Sequence, residues 1–500
     1  MKFLLRLSPD LTTKADKTRR RFLRILSANM REAMASSDIT AHVEPGWVRM
    51  MVDADDPRAG DVARHVFGVH SMSPVDEIPL ATLDALVAAA APHFLPQISG
   101  RTFAVRARTG GGAPFRSHAI EVALGAALAP HGKVQLDDPQ VTCSVEVRDG
   151  RVYLFSGSTP AWRGLPLGSE GRAVALVSGG FDSAVAAWMM LRRGVALDYV
   201  CCRLGGPAHQ IGALRVLQVL GTQWSFGDRP RVFVVPFEDV VEAIRARCEP
   251  ARWQLVLKRL MYRVAESIGR ETRAQAIVTG ESLGQVSSQT LKNLRALDGR
   301  LSLPLLRPLV GLDKEEIIAR AREIGTHDVS ATVREYCDIV PDRPATAASQ
   351  LHVRGDEERV EFDAQAVAAA SVVLDLRQLG PRDLALPELE TAAIPADAVV
   401  IDLRSLSAYR TWHWPEALHL HLDAALRILD QLDRGKTYVA YCELGLKSAY
   451  LAHRMRERGL TAYNFRGGLR PLVQHAIARG ISPAELAPGD LPALLDPTGP

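Results

Sequence analysis

The chain has few cysteines and no long apolar run, and both shortages exclude whole classes of protein. Six cysteines in 500 residues, with no CxxC pair, do not form the dense framework of a small secreted domain. No stretch approaches the ~20 apolar residues of a membrane span, and Arg6 and Pro9 cut the opening "MKFLLRLSPD" before it reaches the length of a signal-peptide core. We therefore expect a cytoplasmic protein in a reducing compartment, without a membrane partner.

Excess charge of one sign is also lacking. The formal net charge of +3 is too small to indicate nucleic acid by itself. The distribution is uneven, because residues 1–31 hold nine Lys or Arg against Asp10 and Asp16, whereas residues 51–100 are acidic. With 47% apolar and 23% charged residues, the composition is that of an ordinary globular protein with sizeable cores.

A chain of 500 residues is too long to fold around one hydrophobic core, so its length suggests about three or four domains. A strand-like "KFLLRL" and a basic amphipathic helix open the chain, and a small α/β unit with a hairpin follows. From Arg172 onward, continuous apolar strands alternate with helices, which predicts a parallel sheet covered on both faces. A second, smaller α/β domain follows a weakly patterned linker. The predicted boundaries are 1–60, 61–166, 170–345, a linker at 346–391, and 392–475.

The stretch "LVSGGFDSAVAAWMM" predicts a site for a phosphate group. Backbone N–H groups in a strand-to-helix turn bind anions, and glycines let phosphate oxygens approach the main chain. The Lys-Ser/Thr pair of a Walker loop is missing, and Asp182 in its place suits a magnesium ion that accompanies the phosphates. The alternative is that the glycines only shape the turn. The buried strand ends at Val177, and the turn continues with Ser178, Gly179, Gly180, Phe181, Asp182 and Ser183.

The motif SGGxDS resembles the PP-loop ATP pyrophosphatases, which cleave ATP between its α- and β-phosphates and adenylate a carbonyl oxygen. The strings "VTGESLGQVSSQTLKNL", "LPLLRPLVGLDKEEIIARAREIGTHDVS" and "YCDIVPDRPAT" are similar to the tRNA uridine 4-sulfurtransferase family (ThiI). This resemblance implies that Lys314 serves adenylation and that Mg²⁺ enters with ATP, although a lysine alone could be a solvated helix charge. The implied ATP site, with the phosphate turn, comprises Leu176, Val177, Ser178, Gly179, Gly180, Ser183, Lys258, Gly280 and Gln289.

The segment "TYVAYCELGLKSAYLAHRM" places Cys442 after a buried strand and before a helix. Main-chain N–H groups of a loop that runs into a helix N-terminus stabilise a thiolate or persulfide and lower the pKa of the cysteine. The alternative is a buried, inert cysteine, since free Cys is among the most buried residues. The segment and the earlier "AVVIDLRSLSAYRTWHWPEALHLHL" resemble a rhodanese domain. Lys447 departs from the arginine that often closes such loops.

Cys337 lies in the polar, proline-containing "REYCDIVPDRPAT", and we expect it to be exposed. The family resemblance implies that Cys337 and Cys442 form a redox-active disulfide during turnover. Because a disulfide needs Cα atoms within ~7 Å, the C-terminal domain would have to move onto the nucleotide site. The remaining cysteines are interpreted as structural: Cys143, Cys201, Cys202 and Cys248. We expect no metal site, because no Cys or acid completes a shell around His413, His419 and His421.

Two basic segments of the N-terminal half could contact RNA phosphates in a salt-sensitive way, although charge alone favours a solvated helix face. "LSPDLTTKADKTRRRFLRIL" resembles the ferredoxin-like start of the same family, and "RTFAVRARTGGGAPFRSHAIEVALGAAL" resembles its THUMP domain, which grips the acceptor end of tRNA. We expect recognition of tRNA to depend more on its shape and its phosphates than on the identity of its bases. The predicted tRNA-binding residues are Lys14, Lys17, Arg19, Arg20, Arg21, Arg106, Arg108 and Arg116.

The resemblance covers nearly the whole chain and implies a multidomain α/β and α+β protein. Its implied parts are a ferredoxin-like domain, a THUMP domain, a Rossmann-like PP-loop domain and a rhodanese-like domain. The implied enzyme is a tRNA sulfurtransferase that adenylates uridine 8 of tRNA and delivers sulfur from a Cys442 persulfide to give 4-thiouridine. Implied partners are tRNA, a cysteine desulfurase and the sulfur-carrier protein of thiamine synthesis, and a homodimer is left open.

Two alternative functions remain open from the residues. An ammonia-using ATP-pyrophosphatase ligase or amidotransferase would share SGGxDS and would not need Cys442. A nonenzymatic tRNA-binding protein that relays sulfur would not need Asp182.

Overall fold

The computed structural model describes residues 1–481 except 111–112, 205, 300, 332, 334–338, 340, 342, 381–382, 385–388, 443–444 and 467. The chain divides into two compact units. The first contains residues 1–171, 189–196 and 222–228, and the second contains residues 172–188, 197–221 and the chain from 229 onward. No helix among the described residues is long and apolar enough to cross a bilayer.

A mixed sheet is the frame of the first unit. Its strands are β1 (Lys2–Leu7), β2 (Ala41–Pro45), β3 (Arg49–Ala54), β4 (Val69–Pro79), β5 (Thr102–Thr109), β6 (Lys133–Val134), β7 (Val141–Arg148), β8 (Arg151–Phe155) and β9 (Thr159–Pro160). They run in the order β2-β3-β1-β4-β8-β7-β5-β6, and β9 pairs with β4. The pairing is antiparallel at β1 and parallel around β5, as expected where a helix connects neighbouring strands. The helices are α1 (Pro9–Thr12), α2 (Asp16–Ser36), α3 (Ala59–Arg64), α4 (Leu83–Ile98) and α5 (Ser117–Leu128).

Helix α2 is the basic amphipathic helix that the sequence predicts. Its buried side chains include Phe22, Leu26 and Met30, which recur at helical spacing and belong to one core with β1 and β3. The opposite face carries exposed basic side chains such as Arg20 and Arg24. A second core forms where α4 and α5 cover β5 and β7. These two cores are separate, as expected for the two small domains that the sequence predicts there, and a small third cluster lies on β1, β4 and β8 of the same unit.

The second unit begins with the predicted parallel sheet. Its strands are β10 (Arg172–Leu176), β11 (Ala196–Arg203), β12 (Arg231–Pro236), β13 (Ile277–Val278), β14 (Leu305–Leu306) and β15 (Val372–Asp375). They run in the order β14-β13-β10-β11-β12-β15. The pairs β14–β13, β13–β10 and β11–β12 are parallel, and the edge strand β15 is antiparallel to β12. The middle strands are buried on both faces, which explains their unbroken apolar sequence. The helices are α6 (Phe181–Arg192), α7 (Gly206–Gln223), α8 (Glu238–Arg247), α9 (Trp253–Glu271), α10 (Leu291–Leu297), α11 (Lys314–Glu323), α12 (His327–Ser330), α13 (Gln350–Arg359) and α14 (Ala364–Ala369).

A separate parallel sheet forms the C-terminal part of this unit. Its strands are β16 (Glu390–Thr391), β17 (Val399–Asp402), β18 (Leu418–His419), β19 (Thr437–Tyr441) and β20 (Thr461–Phe465). They run in the order β16-β20-β19-β17-β18, and every recorded pairing is parallel. The helices are α15 (Leu406–Thr411), α16 (Leu422–Arg427), α17 (Leu446–Glu457) and α18 (Leu469–Ala478). Hydrophobic cores lie on both faces of this sheet, as predicted for a second α/β domain.

The prediction of a linker is wrong for residues 350–375, which form α13, α14 and β15. Helix α13 is polar, so it lacks the apolar periodicity that would have revealed it. It is held by ion pairs instead. Glu357 accepts a 2.5 Å hydrogen bond from Arg259 of α9, and Asp356 accepts one of 2.6 Å from Arg252. Both carboxylates are buried, so α13 belongs to the fold of the parallel-sheet region.

Removing the carboxylate of Glu357 should destabilise this unit strongly. Glu357→Ala leaves the buried guanidinium of Arg259 without its ion-pair partner, and we expect a loss of about 3 kcal/mol in the free energy of unfolding. Urea unfolding of the full chain measures this loss. Glu358→Ala, on the exposed side of the same helix, is the control and should change the value by less than about 0.5 kcal/mol. Equal effects of the two substitutions would contradict the account of α13.

Candidate functional site

The turn after β10 has the geometry of a phosphate loop. The hydroxyl of Ser183 donates to the carbonyl of Gly180 at 3.2 Å and accepts from the backbone N–H of Ser178 at 3.3 Å. Gly179 has φ +84°, and a Cβ there would lie 2.8 Å from the Cα of Ala213 on α7. Only glycine meets both conditions without strain. Hydrogen bonds within the loop therefore hold its shape, and its backbone leads into the N-terminus of α6.

This loop forms one wall of a cavity of about 580 Å³. The other walls come from α7, α9 and the segment after β13. Of the nine residues predicted to bind ATP, all except Gly179 line the cavity, and Asp182 lines it too. The predicted residues come from positions 176 to 289 of the chain, so the fold brings together a set that is widely spaced in the sequence.

Asp182 and Lys314 form an ion pair beside the loop. Lys314 Nζ lies 2.8 Å from Asp182 Oδ1, and Gln285 Nε2 donates to Asp182 Oδ2 at 2.8 Å. Lys314 is the first residue of α11, which begins with a capping box between Asp313 and Glu316. The cap fixes the start of the helix and thereby the point from which Lys314 reaches Asp182. Gln285 was not singled out from the sequence.

Glu281, which the sequence reasoning missed, organises the opposite wall. Its buried carboxylate accepts hydrogen bonds from Thr279 Oγ1 at 2.7 Å and from the hydroxyl of Tyr262. Lys258 Nζ lies 3.4 Å from Oε1, and Arg307 Nε lies 2.8 Å from Oε2. Burial raises the pKa of Glu281, but the charges of Lys258 and Arg307 and the hydrogen bonds outweigh burial and lower it to about 2. Glu281 therefore holds the Lys258 side chain in position at the cavity wall.

Within the described part of the chain, three residues that line the cavity have a buried polar atom without a hydrogen-bond partner: His209 Nδ1, Gln285 Oε1 and Gln289 Oε1. Leaving such atoms unpaired costs free energy, so a ligand that pairs with them binds favourably. A nucleotide fits this set, because its amino and hydroxyl groups can donate to the two amide oxygens and its phosphates suit the loop. Among the described residues, no group of three or more His, Cys, Asp or Glu side chains could hold a metal ion by itself.

Cys442 lies in a second, separate site at the end of β19. Its Sγ accepts hydrogen bonds from the backbone N–H of Gly445 at 3.2 Å and from Ser448 Oγ at 3.4 Å. Gly445 has φ +83°, a backbone conformation that favours glycine. The Ser448 hydroxyl also lies 2.7 Å from Asn464 Oδ1, and its single proton can serve only one of these acceptors at a time. Cys442 is thus buried, with 2% of its surface exposed, and held by hydrogen-bond donors.

A buried ion pair anchors the strand that carries Cys442. Arg404 donates to both carboxylate oxygens of Asp402, at 3.0 Å from Nε and 2.6 Å from Nη2. The hydroxyl of Tyr441 donates to the same carboxylate at 2.6 Å. Asp402 and Arg404 belong to "AVVIDLR", the start of the segment that resembles a rhodanese domain. Together with Tyr441 they fix β17 to β19 one residue before the cysteine.

The other cysteines behave as predicted where the structure describes them. Cys143, Cys201, Cys202 and Cys248 are buried free thiols, and burial raises the pKa of each, to about 12 for Cys143 and Cys201 and to about 11 for Cys248. Cys202 also lines the nucleotide cavity, which the sequence did not indicate. Cys337 lies outside the described residues, so its exposure and its disulfide stay predictions.

The predicted tRNA-binding residues are exposed with one exception, Arg19. Arg19 donates to the carbonyl of Trp47 at 2.6 Å and lies 4.2 Å from the centre of its ring. It precedes Phe22 and Leu23 by three and four residues and so shares their buried face. Its side chain therefore packs against the turn between β2 and β3 and is not part of the exposed basic surface.

Comparison with known proteins agrees with this architecture. Models of four families match the chain: a ThiI ferredoxin-like domain at residues 2–73, a THUMP domain at 81–156, the thiamine biosynthesis protein (ThiI) at 168–362 and a rhodanese-like domain at 387–474. These matches confirm the predicted fold class, a multidomain protein that joins ferredoxin-like, THUMP, ThiI and rhodanese-like parts. The exact domain boundaries stay predictions.

Curated proteins that are similar over most of this chain are named tRNA sulfurtransferase. A tRNA sulfurtransferase of Klebsiella pneumoniae strain 342 is 34% identical, over 92% of this chain and 98% of that protein. A tRNA sulfurtransferase of Pyrobaculum aerophilum is 36% identical, over 91% and 95%. A crystal structure of a 4-thiouridine synthetase–RNA complex with bound ATP matches with a TM-score of 0.66 and 28% identity, over 75% of this chain and 98% of that one. The chain belongs to the tRNA sulfurtransferase family of enzymes.

The low pKa of Glu281 predicts a dependence of stability on pH. A depressed pKa means that the ionised carboxylate stabilises the fold; this contribution is complete above about pH 5 and is lost as the pH falls towards 2. The difference between 4.5 and about 2 corresponds to about 3 kcal/mol. The gap in unfolding free energy between the native chain and Glu281→Gln should therefore shrink between pH 7 and pH 3. Exposed Glu315→Gln is the control, and a gap that stays constant would refute the role of this carboxylate.

Proposed function

We propose that this chain uses ATP to adenylate a uridine of tRNA and replaces the activated oxygen with sulfur carried by Cys442, giving 4-thiouridine at uridine 8. The observation that carries the proposal is that one chain combines a nucleotide cavity with a cysteine held by hydrogen-bond donors. The RNA complex with bound ATP that matches this fold supports both substrates. The tRNA substrate also argues for a cytoplasmic enzyme.

Adenylation uses the cavity residues. The O4 atom of the uracil attacks the α-phosphorus of ATP, the bond to the bridging oxygen breaks, and pyrophosphate leaves. Lys258, held by Glu281, and Lys314, held by Asp182, stabilise the charge that builds up on the phosphates. Asp182 would hold Mg²⁺ together with the phosphates, where the ion neutralises negative charge.

Sulfur transfer uses Cys442. A cysteine desulfurase loads this residue as a persulfide, and the donors around Sγ suit the negative charge of such a group. The terminal sulfur attacks C4 of the adenylated uracil, and AMP leaves. Cys337 then attacks the sulfur of Cys442, which releases the sulfur on C4 as 4-thiouridine and leaves a Cys337–Cys442 disulfide. A cellular thiol reduces this disulfide and restores both cysteines.

Two further roles belong to the same proposal. The exposed basic side chains of the first unit bind tRNA through its phosphates: Lys14, Lys17, Arg20, Arg21, Arg106, Arg108 and Arg116. Arg106 and Arg21 already donate to backbone carbonyls, which orients their side chains. The persulfide of Cys442 also supplies sulfur to the carrier protein of thiamine synthesis, in keeping with the family's thiamine-biosynthesis description.

Substituting Cys442 should separate the two half-reactions. With unmodified tRNA, ATP, cysteine and a desulfurase, Cys442→Ala should still release pyrophosphate but form no 4-thiouridine, because only the sulfur carrier is missing. Nucleoside analysis by mass spectrometry measures the product. Cys248→Ala, at another buried cysteine of the same unit, is the control and should keep the activity. Thiolation by Cys442→Ala at limiting sulfide would show that Cys442 does not carry the sulfur.

Substituting Asp182 should stop the first half-reaction. Asp182→Asn removes the charge that holds Lys314 and the metal-bound phosphates, and we expect tRNA-dependent pyrophosphate release to fall by roughly 10²–10³-fold. Asp328→Asn, on a carboxylate that is almost fully exposed, serves as the control. Pyrophosphate release at the native rate in Asp182→Asn would overturn the assignment of the loop.

A further inference from the structure

His209 is a buried histidine of the nucleotide cavity that the proposed reaction has not yet used. It lies in the first turn of α7 and lines the same cavity as Ser178, Gly180 and Asp182 of the phosphate loop. One turn further along α7, Ala213 packs directly on the loop, since a Cβ at Gly179 would lie 2.8 Å from its Cα. The helix therefore places His209 in the cavity wall, one turn before the residue that packs on the phosphate loop.

The imidazole of His209 has a free nitrogen. Only 4% of the residue is exposed, and its buried Nδ1 atom has no hydrogen-bond partner among the residues that the structure describes. Burial lowers the pKa of His209, so the ring is neutral at physiological pH. In the tautomer with the proton on Nε2, Nδ1 is a hydrogen-bond acceptor. A neutral acceptor on a side chain that lines a ligand cavity can take up a proton once the bound ligand brings a donor to it.

The other titratable groups of the cavity are already engaged or are poor bases. These titratable residues line the cavity from several elements: Cys202 from β11, Asp182 from α6, Lys258 and Tyr262 from α9, and Glu281 from the segment after β13. Asp182 is paired with Lys314, and Glu281 has four partners and a pKa of about 2. Burial raises the pKa of both Cys202 and Tyr262. Among the described cavity residues, His209 is the neutral base with an open acceptor atom.

Adenylation of uracil releases a proton that a base must take up. The ring holds a proton on N3 next to the carbonyl at C4. When O4 bonds to the α-phosphorus, the C4–O4 double bond becomes single, a C4–N3 double bond forms, and N3 loses its proton. A positioned general base at this step contributes typically 10²–10⁴-fold to the rate.

We propose that His209 is a catalytic residue whose Nδ1 accepts the N3 proton of uracil as O4 attacks ATP. The proposal rests on the proposed function, because it needs a uracil as the acceptor of adenylate. In this step the O4–phosphorus bond forms, the bond from the α-phosphorus to the leaving oxygen breaks, and the proton passes from N3 to the imidazole.

The same histidine closes the proton balance of the second half-reaction. After sulfur replaces AMP at C4 and Cys337 releases it from Cys442, 4-thiouridine in its thione form carries a proton on N3. The imidazolium of His209 returns this proton and becomes neutral again. His209 therefore needs no other acid or base to turn over.

The test measures single-turnover pyrophosphate release by the full chain with unmodified tRNA and ATP between pH 5 and 8.5. The native rate should rise with pH to a plateau, because the imidazole must be neutral. In His209→Asn, the amide supplies a polar atom close to the position of Nδ1 but cannot take up a proton. We expect its rate to fall by roughly 10²–10⁴-fold and to lose the rise with pH, while ATP binding changes by less than about threefold. His352→Gln, at an exposed histidine, should match the native chain.

Chemical rescue is the second measurement, and it remains informative even if the substitution lowers the stability of the fold. His209→Ala leaves a gap beside the loop, and added imidazole should raise its rate in proportion to the concentration of the neutral form. A native rate and pH profile in His209→Asn would overturn the proposal, and so would a loss that lies only in ATP affinity and is not rescued by imidazole. If the native chain itself forms neither adenylated tRNA nor 4-thiouridine, the proposed function fails and the role of His209 fails with it.

Discussion

The buried carboxylate of Glu281 is the interaction on which the nucleotide cavity depends. A buried charge is costly unless it is paired and hydrogen-bonded, so Glu281 requires both Lys258 and Arg307 near it. These partners lie on α9 and in the segment after β14, and Glu281 itself follows β13. The carboxylate thus ties three distant parts of the chain into one wall. If Lys258 moved away, the buried carboxylate of Glu281 would lose one of its partners. The free-energy cost of that loss keeps Lys258 at the cavity wall, within reach of a bound phosphate group.

The cysteine site is built on a different physical basis. Cys442 Sγ has no ion-pair partner among the described residues and is held by a backbone N–H and a hydroxyl, which are dipoles and not charges. In the proposed reaction, such donors would suit a sulfur atom that alternates between thiol, persulfide and disulfide, because they stabilise negative charge without forming an ion pair with it. The ion pair of Asp402 and Arg404 lies behind the site and fixes the strand rather than the sulfur. The charged groups of each site therefore lie where the chemistry proposed for that site would need them.

The sequence predicted most of the fold and the local parts of the sites. The phosphate turn and the loop at Cys442 are short motifs, so neighbouring residues reveal them, and the unbroken apolar strands reveal the parallel sheet. Contacts between distant residues could not be predicted in this way. Glu281, Gln285 and His209 matter because of what surrounds them after folding, and burial of a polar atom leaves no mark in a single sequence.

Two errors of sequence interpretation have the same origin. Helix α13 was interpreted as part of a linker because its stabilising side chains, Asp356 and Glu357, are acidic and find their partners on other helices. Arg19 was grouped with exposed basic residues, although its helical position puts it on the buried face against Trp47. In both cases a charged side chain is buried, and residue type alone predicts the opposite.

In the proposed reaction, Cys442 carries the sulfur that ATP-activated tRNA receives. Labelled sulfur can be followed from a preformed Cys442 persulfide of the full chain in a single turnover. We expect the label to move to position 8 of tRNA as 4-thiouridine only when ATP is present, with one AMP released for each sulfur transferred. Transfer without ATP, or label that stays on the protein while 4-thiouridine forms, would contradict it.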